Sequence, residues 1–275
     1  MIRINVLVEN FSINNKYKSK HGLSLFINFN DMNILYDVGP DSTFIKNASV
    51  SKIDLNIVEY LFFSHNHYDH VGGINDFCRV NGNSKIYLMD SIKNKYYIKV
   101  FCLYIPINIK LDKKNNSRMI ETNENIAIDN KIYYIRNTVE KYKKPTFNKM
   151  LYKLENKKKI NDDFNHEGIL VIVENENLHI LNLCSHNGIL NSIETVKNMF
   201  PNKKVKNYVG GLHLYNPPTG KNDSNEYLDY LIGHLKEMDV CVYTGHCTGK
   251  YALNYLKNNL EEKIIEINTG MEIIL

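Results

Sequence analysis

Paired cysteines, long apolar runs and a strong charge of either sign are all missing from these 275 residues. The five cysteines, Cys78, Cys102, Cys184, Cys241 and Cys247, are odd in number and scattered without paired spacing, which argues against a disulfide framework and predicts a reducing compartment. No apolar stretch approaches membrane-spanning length, and the opening run Ile2 to Val8 is short, ends at Glu9-Asn10 and lacks the layout of a secretory signal. These absences predict a cytoplasmic protein with no membrane partner. A net charge of +4 and a pI near 8.6 are too slight a basic bias to imply nucleic acid without a concentrated patch, and they suit a small anionic substrate equally well.

What is present is an ordinary globular balance, 43% hydrophobic and 23% charged, in a length that one domain spanning 1–275 accommodates. Short strands are predicted at Ile4 to Val8, Leu23 to Asn28, Asn33 to Tyr36 and Ile57 to Phe63, with breaks at Asp31 and Gly39-Pro40. From about Asp90 to Asp163 lysine, tyrosine and asparagine dominate, glycine is absent and apolar periodicity weakens, so the segment 90–163 reads as a cap insertion. Strands resume at Ile169 to Val173, Leu178 to Leu183, Val205 to Val209 and Val240 to Tyr243, now alternating with helices. Leu228, Leu231, Ile232 and Leu235 mark one helix, preceded by a capping box Asp223-x-x-Glu226, and Ala252, Leu253, Leu256 and Leu260 mark another. Strands first, then strands alternating with helices, predict a layered α/β structure with helices outside two sheets.

Three imidazoles and one carboxylate occupy the six positions from His65 to His70. Burying so many metal-ligating groups without a metal would leave costly unpaired polar atoms. His65 and His67 are two apart, which in extended chain turns both rings to one side, towards one ion. Asp69 and His70 lie past the turn, ahead of Gly72-Gly73, and can aim at a second. Three later histidines, His186, His213 and His246, each end an apolar strand, the placement that a site built on strand ends requires. His213 reads either as a ligand or as a neutral hydrogen-bonding partner of substrate, and Asp69 as the group that orients the nucleophile. Asp37, also at a strand end, suits the role of accepting the free N–H of a ligating histidine, or of a turn-initiating residue. A histidine-rich set with one or two carboxylates suits zinc first, with manganese and iron as alternatives.

Around this centre, Tyr68 reads as a donor to a substrate oxygen or as packing. Arg136 is a candidate to neutralise an anion. Thr248, in the turn Gly245-His246-Cys247-Thr248-Gly249 before a helix, either helps hold a phosphate or serves as the N-cap. Cys247 reads as a soft extra ligand or a small buried thiol. A nucleophile within Cys184-Ser185-His186 is geometrically poor, because neighbours on a strand point to opposite faces.

The motif His65-x-His67-x-Asp69-His70 resembles the signature of the metallo-β-lactamase superfamily. His21-Gly22-Leu23-Ser24, Leu35 through Gly39, Ser64 through Gly73, Cys184 through Ile189, Gly210 through Leu214 and Gly245 through Gly249 follow in order and narrow the resemblance. They are similar to the subfamily of the dihydropterin–ribofuranosylaminobenzene phosphate synthase and related metal-dependent hydrolases. The resemblance implies an αββα sandwich with His65, His67 and His186 on one ion and Asp69, His70 and His246 on another. Relatives usually carry a bridging Asp between the last two histidines, where this chain offers His213. The function so implied is hydrolysis of a phosphoester or similar anionic small molecule by a metal-activated water. The alternatives are a synthase-like condensation and a metal-containing ligand-binding or sensor protein without turnover.

Overall fold

The run Ile169 to Val173 has no polar face, so a strand made from it must be covered on both sides. The computed structural model, which describes residues 1–89, 94–109 and 117–275, covers it so. It lies in β13 (Gly168–Glu174), near the middle of a seven-stranded sheet ordered β19 (Ile264–Glu266), β18 (Cys241–Thr244), β15 (Lys204–Val209), β14 (Asn177–Leu181), β13, β10 (Ile132–Arg136), β9 (Ile126–Ile128). A second seven-stranded sheet runs β20 (Glu272–Ile274), β1 (Ile2–Val8), β2 (Ser24–Phe29), β3 (Met32–Tyr36), β4 (Tyr60–Phe62), β5 (Lys85–Met89), β8 (Met119–Thr122).

The inner faces of the two sheets meet in one apolar cluster in which Ile4, Ile27, Ile34 and Phe62 of one sheet pack with Leu170, Ile172, Leu181 and Val209 of the other. Outside the first sheet lie α1 (Thr43–Val50), the single turn α2 (Tyr68–Val71) and α3 (Ile74–Val80), with Phe44, Ala48, Ile74 and Phe77 against Leu35, Leu61 and Leu88. Outside the second lie α4 (Ile189–Met199), α5 (Asn225–Lys236) and α6 (Lys250–Leu260). The leucines predicted to form the apolar stripes of α5 and α6 are the ones buried, each contributing roughly 1.5–3 kcal/mol. The layers are therefore αββα. No helix among the described residues is long and apolar enough to cross a membrane.

Three expectations shift in detail. The strand expected from Ile57 is confined to Tyr60–Phe62, because Asp54 accepts from the Asn56 N–H and winds Leu55–Ile57 into a 3₁₀ turn that leaves Ile57 half exposed. The N-cap of α5 is Ser224, whose side chain accepts from the Tyr227 N–H, while Asp223 instead accepts from the backbone N–H and the hydroxyl of Thr146. The stretch 90–163 is divided. Its β6 (Tyr96–Val100), β7 (Leu103–Pro106), β11 (Leu151–Glu155) and β12 (Lys158–Asn161) form a separate four-stranded sheet, but β8, β9 and β10 belong to the sandwich. Tyrosines are the reason. Tyr134 is fully buried in β10 with its hydroxyl donating to the Phe63 carbonyl, so a residue that reads as polar does core duty. Asp90 lies outside the described residues.

In both sheets the strands that precede the histidine motifs run parallel: β3, β4 and β5 in one, β14, β15 and β18 in the other. Their carboxyl ends open on the same end of the sandwich, where parallel sheets place their ligands.

Candidate metal centre

Four histidines arrive at this opening from three chain segments, and each has its Nδ1 side occupied by a neighbour. His70 Nδ1 is 2.7 Å from Asp37 Oδ2 at the end of β3. Asp37 is fully buried, adopts φ +57° and also accepts from the backbone N–H and the hydroxyl of Ser64. That hydroxyl, having donated to Asp37, accepts from His65 Nδ1 at 2.8 Å. His186, beyond β14, is clamped by Asn148, whose Nδ2 donates to the His186 carbonyl at 2.6 Å and whose Oδ1 lies 3.3 Å from Nδ1. Asn10 grips His246, beyond β18, in the same way, at 3.1 and 3.3 Å. Two buried glutamates complete the pair of clamps: Glu167 accepts the His186 N–H and Glu9 accepts the His246 N–H, both at 2.6 Å.

With Nδ1 assigned as the donor in all four rings, the Nε2 atoms of His65, His70 and His186 carry lone pairs, His246 Nε2 carries a proton that a cation would displace, and these nitrogens face one another. His65 Nε2 is 3.3 Å from His186 Nε2 and 3.0 Å from His67 Nδ1, and His70 Nε2 is 3.1 Å from His246 Nε2. Asp69 Oδ2 lies 3.2 Å from His246 Nε2. Opposed lone pairs at these distances repel unless a proton or a cation lies between them. Nitrogen donors about 2.0–2.1 Å from a tetrahedral ion stand roughly 3.3 Å apart, so the spacing fits a shared metal. His65, His67 and His186 form one such group, with ligand atoms all within 4.8 Å of one another. Asp69, His70 and His246 converge beside it.

The electrostatics agree. Burial, reinforced by the neighbouring imidazoles, drives His65 and His186 well below the usual histidine range, and burial with His166 beside it brings His67 to about 3. These rings are neutral and available as donors at neutral pH. Burial raises the Asp69 carboxyl, but His70 and His246 outweigh it and hold the group well below its ordinary range. Burial lowers His246, yet Cys247 and Asp69 raise it to about 9, so the space around that ring favours positive charge.

A pH dependence follows from His67. Its folded-state value of about 3 lies below the ordinary 6.5, so the unfolded chain takes up the proton first. The stability due to its neutral burial is complete above pH 6.5 and is lost as pH falls towards 3. In chelator-treated protein, urea midpoints measured across that window should fall with acidity, and His67→Gln should flatten the slope. Equal slopes in the two proteins would contradict the environment described for this ring.

The profile of the metallo-beta-lactamase superfamily matches residues 20–115, the stretch that holds the first four candidate ligands. The 7,8-dihydropterin-6-methyl-4-(beta-D-ribofuranosyl)-aminobenzene-5'-phosphate synthase of Methanocaldococcus jannaschii is 28% identical over 98% of this chain and 95% of its own. Among solved structures, Tm1679, described as a metal-dependent hydrolase of the beta-lactamase superfamily, is 25% identical and superposes with a TM-score of 0.82 over 100% of this chain and 99% of that one. The chain is similar to metallo-beta-lactamase superfamily proteins in its first third and shares their fold over its whole length. The fold protein YhfI from Bacillus subtilis, 10% identical with a TM-score of 0.59 over 99% of this chain and 98% of its own, shares the architecture.

Within this metallo-beta-lactamase fold the other candidate residues separate. His213 lines the cavity at the centre with both ring nitrogens lacking a hydrogen-bond partner among the described residues, its ring 4.2 Å from that of His186. It stands beside His186, outside the three-residue sets that hold His65, His67 and His186. Tyr68 is half exposed at the cavity wall. Thr248 is corrected. It is fully buried, accepts from the Leu212 N–H and meets the Thr244 hydroxyl, and the N-cap of α6 is Gly249. Arg136, at the end of β10, is not among the described residues that line the cavity.

Several residues here had no assigned role in the sequence. His166 accepts the Asn66 N–H at its Nδ1 and donates from Nε2 to buried Asp162, which pins the backbone between His65 and His67. His21 stands 3.5 Å from Asp69 Oδ2, and the chain reaches that place because a Cβ on Gly22 would lie 2.3 Å from the Asp69 carbonyl oxygen. The motif His21-Gly22 was the available signal for it. Glu9, Asn10, Asn148 and Glu167 had none.

Proposed function

We propose that this chain is a cytoplasmic metal-dependent hydrolase acting on a phosphoester or similar anionic small molecule, built as one domain with a cap. The Nε2 atoms turned towards one another carry this reading, because outer partners already occupy the Nδ1 atoms and leave the Nε2 atoms free for a metal. His65, His67 and His186 would hold one ion, and Asp69, His70 and His246 a second. Zinc, or manganese or iron in its place, supplies the Lewis acidity that activates water and stabilises charge on a leaving oxygen.

The remaining work falls to the protein. Asp69 Oδ2, partly open to the cavity, would accept a hydrogen bond from the attacking water and so orient it. His213 presents its ring nitrogens to a substrate oxygen. The cavity, about 370 Å³, is of a size for a small molecule. Ile98, Pro106, Ile107 and Leu151 from the cap region form an apolar wall opposite the histidines, which suits a substrate with an apolar body and one charged, hydrolysable head. No lysine or arginine is among the described lining residues, so the head group's charge would be met at the histidine centre itself.

The extended similarity to an enzyme named as a synthase favours a second reading, condensation of a pterin with a ribofuranosylaminobenzene phosphate. Metal-replete protein assayed on phosphodiesters, phosphomonoesters, thioesters and lactones separates the two. Turnover of a phosphoester that chelation abolishes is the expected result. Inertness towards all four classes together with condensation activity would overturn the hydrolase.

A further inference from the structure

Cys184 ends the approach of β14 to the centre, two residues before His186, and its thiol is buried at the floor of the cavity. Its Sγ lies 3.1 Å from His70 Nε2. It also lies within 4.8 Å of the ligand atom of His65 on one side and of His246 on the other. Among the described residues it is thus the side chain that belongs at once with a histidine of each group. We propose that Cys184 is a thiolate ligand lying between the two histidine groups, giving the centre a nitrogen and sulfur donor set.

Donor count and charge support it. The first group offers three neutral imidazoles and the second two imidazoles and one carboxylate, and a thiolate beside His70 would complete the second set while leaving the first the open position that a water needs. Sulfur about 2.3 Å and nitrogen about 2.0–2.1 Å from one ion stand roughly 3.5 Å apart, so the 3.1 Å seen needs the two side chains to part by about 0.4 Å to admit it. Asp69 is the only carboxylate among the six, and two divalent ions need more compensation than it provides. On binding, the metal–sulfur bond replaces the S–H bond and the thiol proton leaves to solvent.

Cys247 plays a different part. Its Sγ sits 3.4 Å from Cys184 Sγ, receives the His213 N–H at 3.3 Å and rests on Gly211, where an added Cβ would come within 2.4 Å of the sulfur. Held there, it donates its S–H to the Cys184 sulfur as a positioning residue.

This inference rests on the metal reading above, and cobalt(II) distinguishes failure of one from failure of the other. Chelator-stripped full-length protein titrated anaerobically with cobalt(II) alone should develop visible ligand-field bands and a near-ultraviolet thiolate-to-cobalt charge-transfer band. Cys184→Ser should lose the charge-transfer band, keep ligand-field bands from the histidines, and bind cobalt at least about tenfold more weakly, the lower end of what even outer partners of a metal site contribute. Cys247→Ser should retain the band. X-ray absorption on the wild-type complex requires no variant to fold, and should place sulfur in the cobalt shell at about 2.3 Å. Ligand-field bands without sulfur in the wild type would overturn the thiolate and leave the histidine centre standing. A charge-transfer band lost only in Cys247→Ser would also overturn it. No cobalt uptake would end both.

Discussion

Replacing His65 with glutamine should strip the protein of its metal and lower kcat/KM on any substrate it turns over by about 10³-fold or more, some 4 kcal/mol of transition-state stabilisation. The expectation comes from position. His65 Nε2 is the atom that both His67 Nδ1 and His186 Nε2 approach, and its ring centroid is 4.3 Å from that of His70. Losing one nitrogen there breaks the first group outright and removes the wall between the two. The variant should keep its fold, since a metal-free chain without His65 has two fewer close nitrogen pairs. A metal that binds only the folded state adds about 4 kcal/mol at a thousand times its dissociation constant. Melting curves with and without chelator should therefore differ in the wild type and coincide in His65→Gln. Undiminished metal content in the variant, by elemental analysis, would contradict the placement of the first group.

Asp37 commands the second large effect, through a hydrogen bond rather than a ligand bond. Burial raises its carboxyl, and the bond from His70 works against that rise. Asp37→Ala leaves the Ser64 N–H and the His70 Nδ1 proton without acceptors in a fully buried spot, a loss of about 3–5 kcal/mol for a broken buried pair. Asp37→Asn is the more informative variant. An amide nitrogen turned towards His70 forces the ring into the other tautomer, which puts a proton on the Nε2 that faces His246. Metal affinity should fall roughly 10–100-fold with most of the stability kept. Measured by competition with a chromophoric chelator, equal affinities for wild type and Asp37→Asn would show that the tautomer of His70 does not matter.

The parts of this fold legible in the sequence were those governed by short-range pattern. The His65-x-His67 spacing, the apolar runs that stop at Asp37, His186 and His246, and the leucine stripes of α5 and α6 all follow from the periods of strand and helix. Roles that depend on partners far along the chain were invisible. Glu9 serves His246 across 237 residues and Asp37 serves His70 across 33; both follow an apolar strand, but Asp37 stands 28 residues before the histidine cluster begins and Glu9 shares no motif with the residue it holds. Asn10 holds its histidine from a loop and Asn148 from the short 3₁₀ turn Thr146–Met150, neither of which carries a periodicity. Thr248 misled because a hydroxyl before a helix reads as a cap, whereas burial turned it inward to Thr244. The cap boundary misled for a related reason: in β10 the inward positions are Ile132 and Tyr134, and the Tyr134 hydroxyl finds a buried carbonyl, so a strand that reads as polar serves the core.

The convergence of His65, His67 and His186 with Asp69, His70 and His246 on metal is tested most directly by anomalous diffraction from crystals of the protein purified without added chelator. Two peaks at a transition-metal absorption edge are expected, one among the first three side chains and one among the second three. Crystals with no anomalous peak in the cleft, and the six side chains linked to each other by ordinary hydrogen bonds, would contradict it.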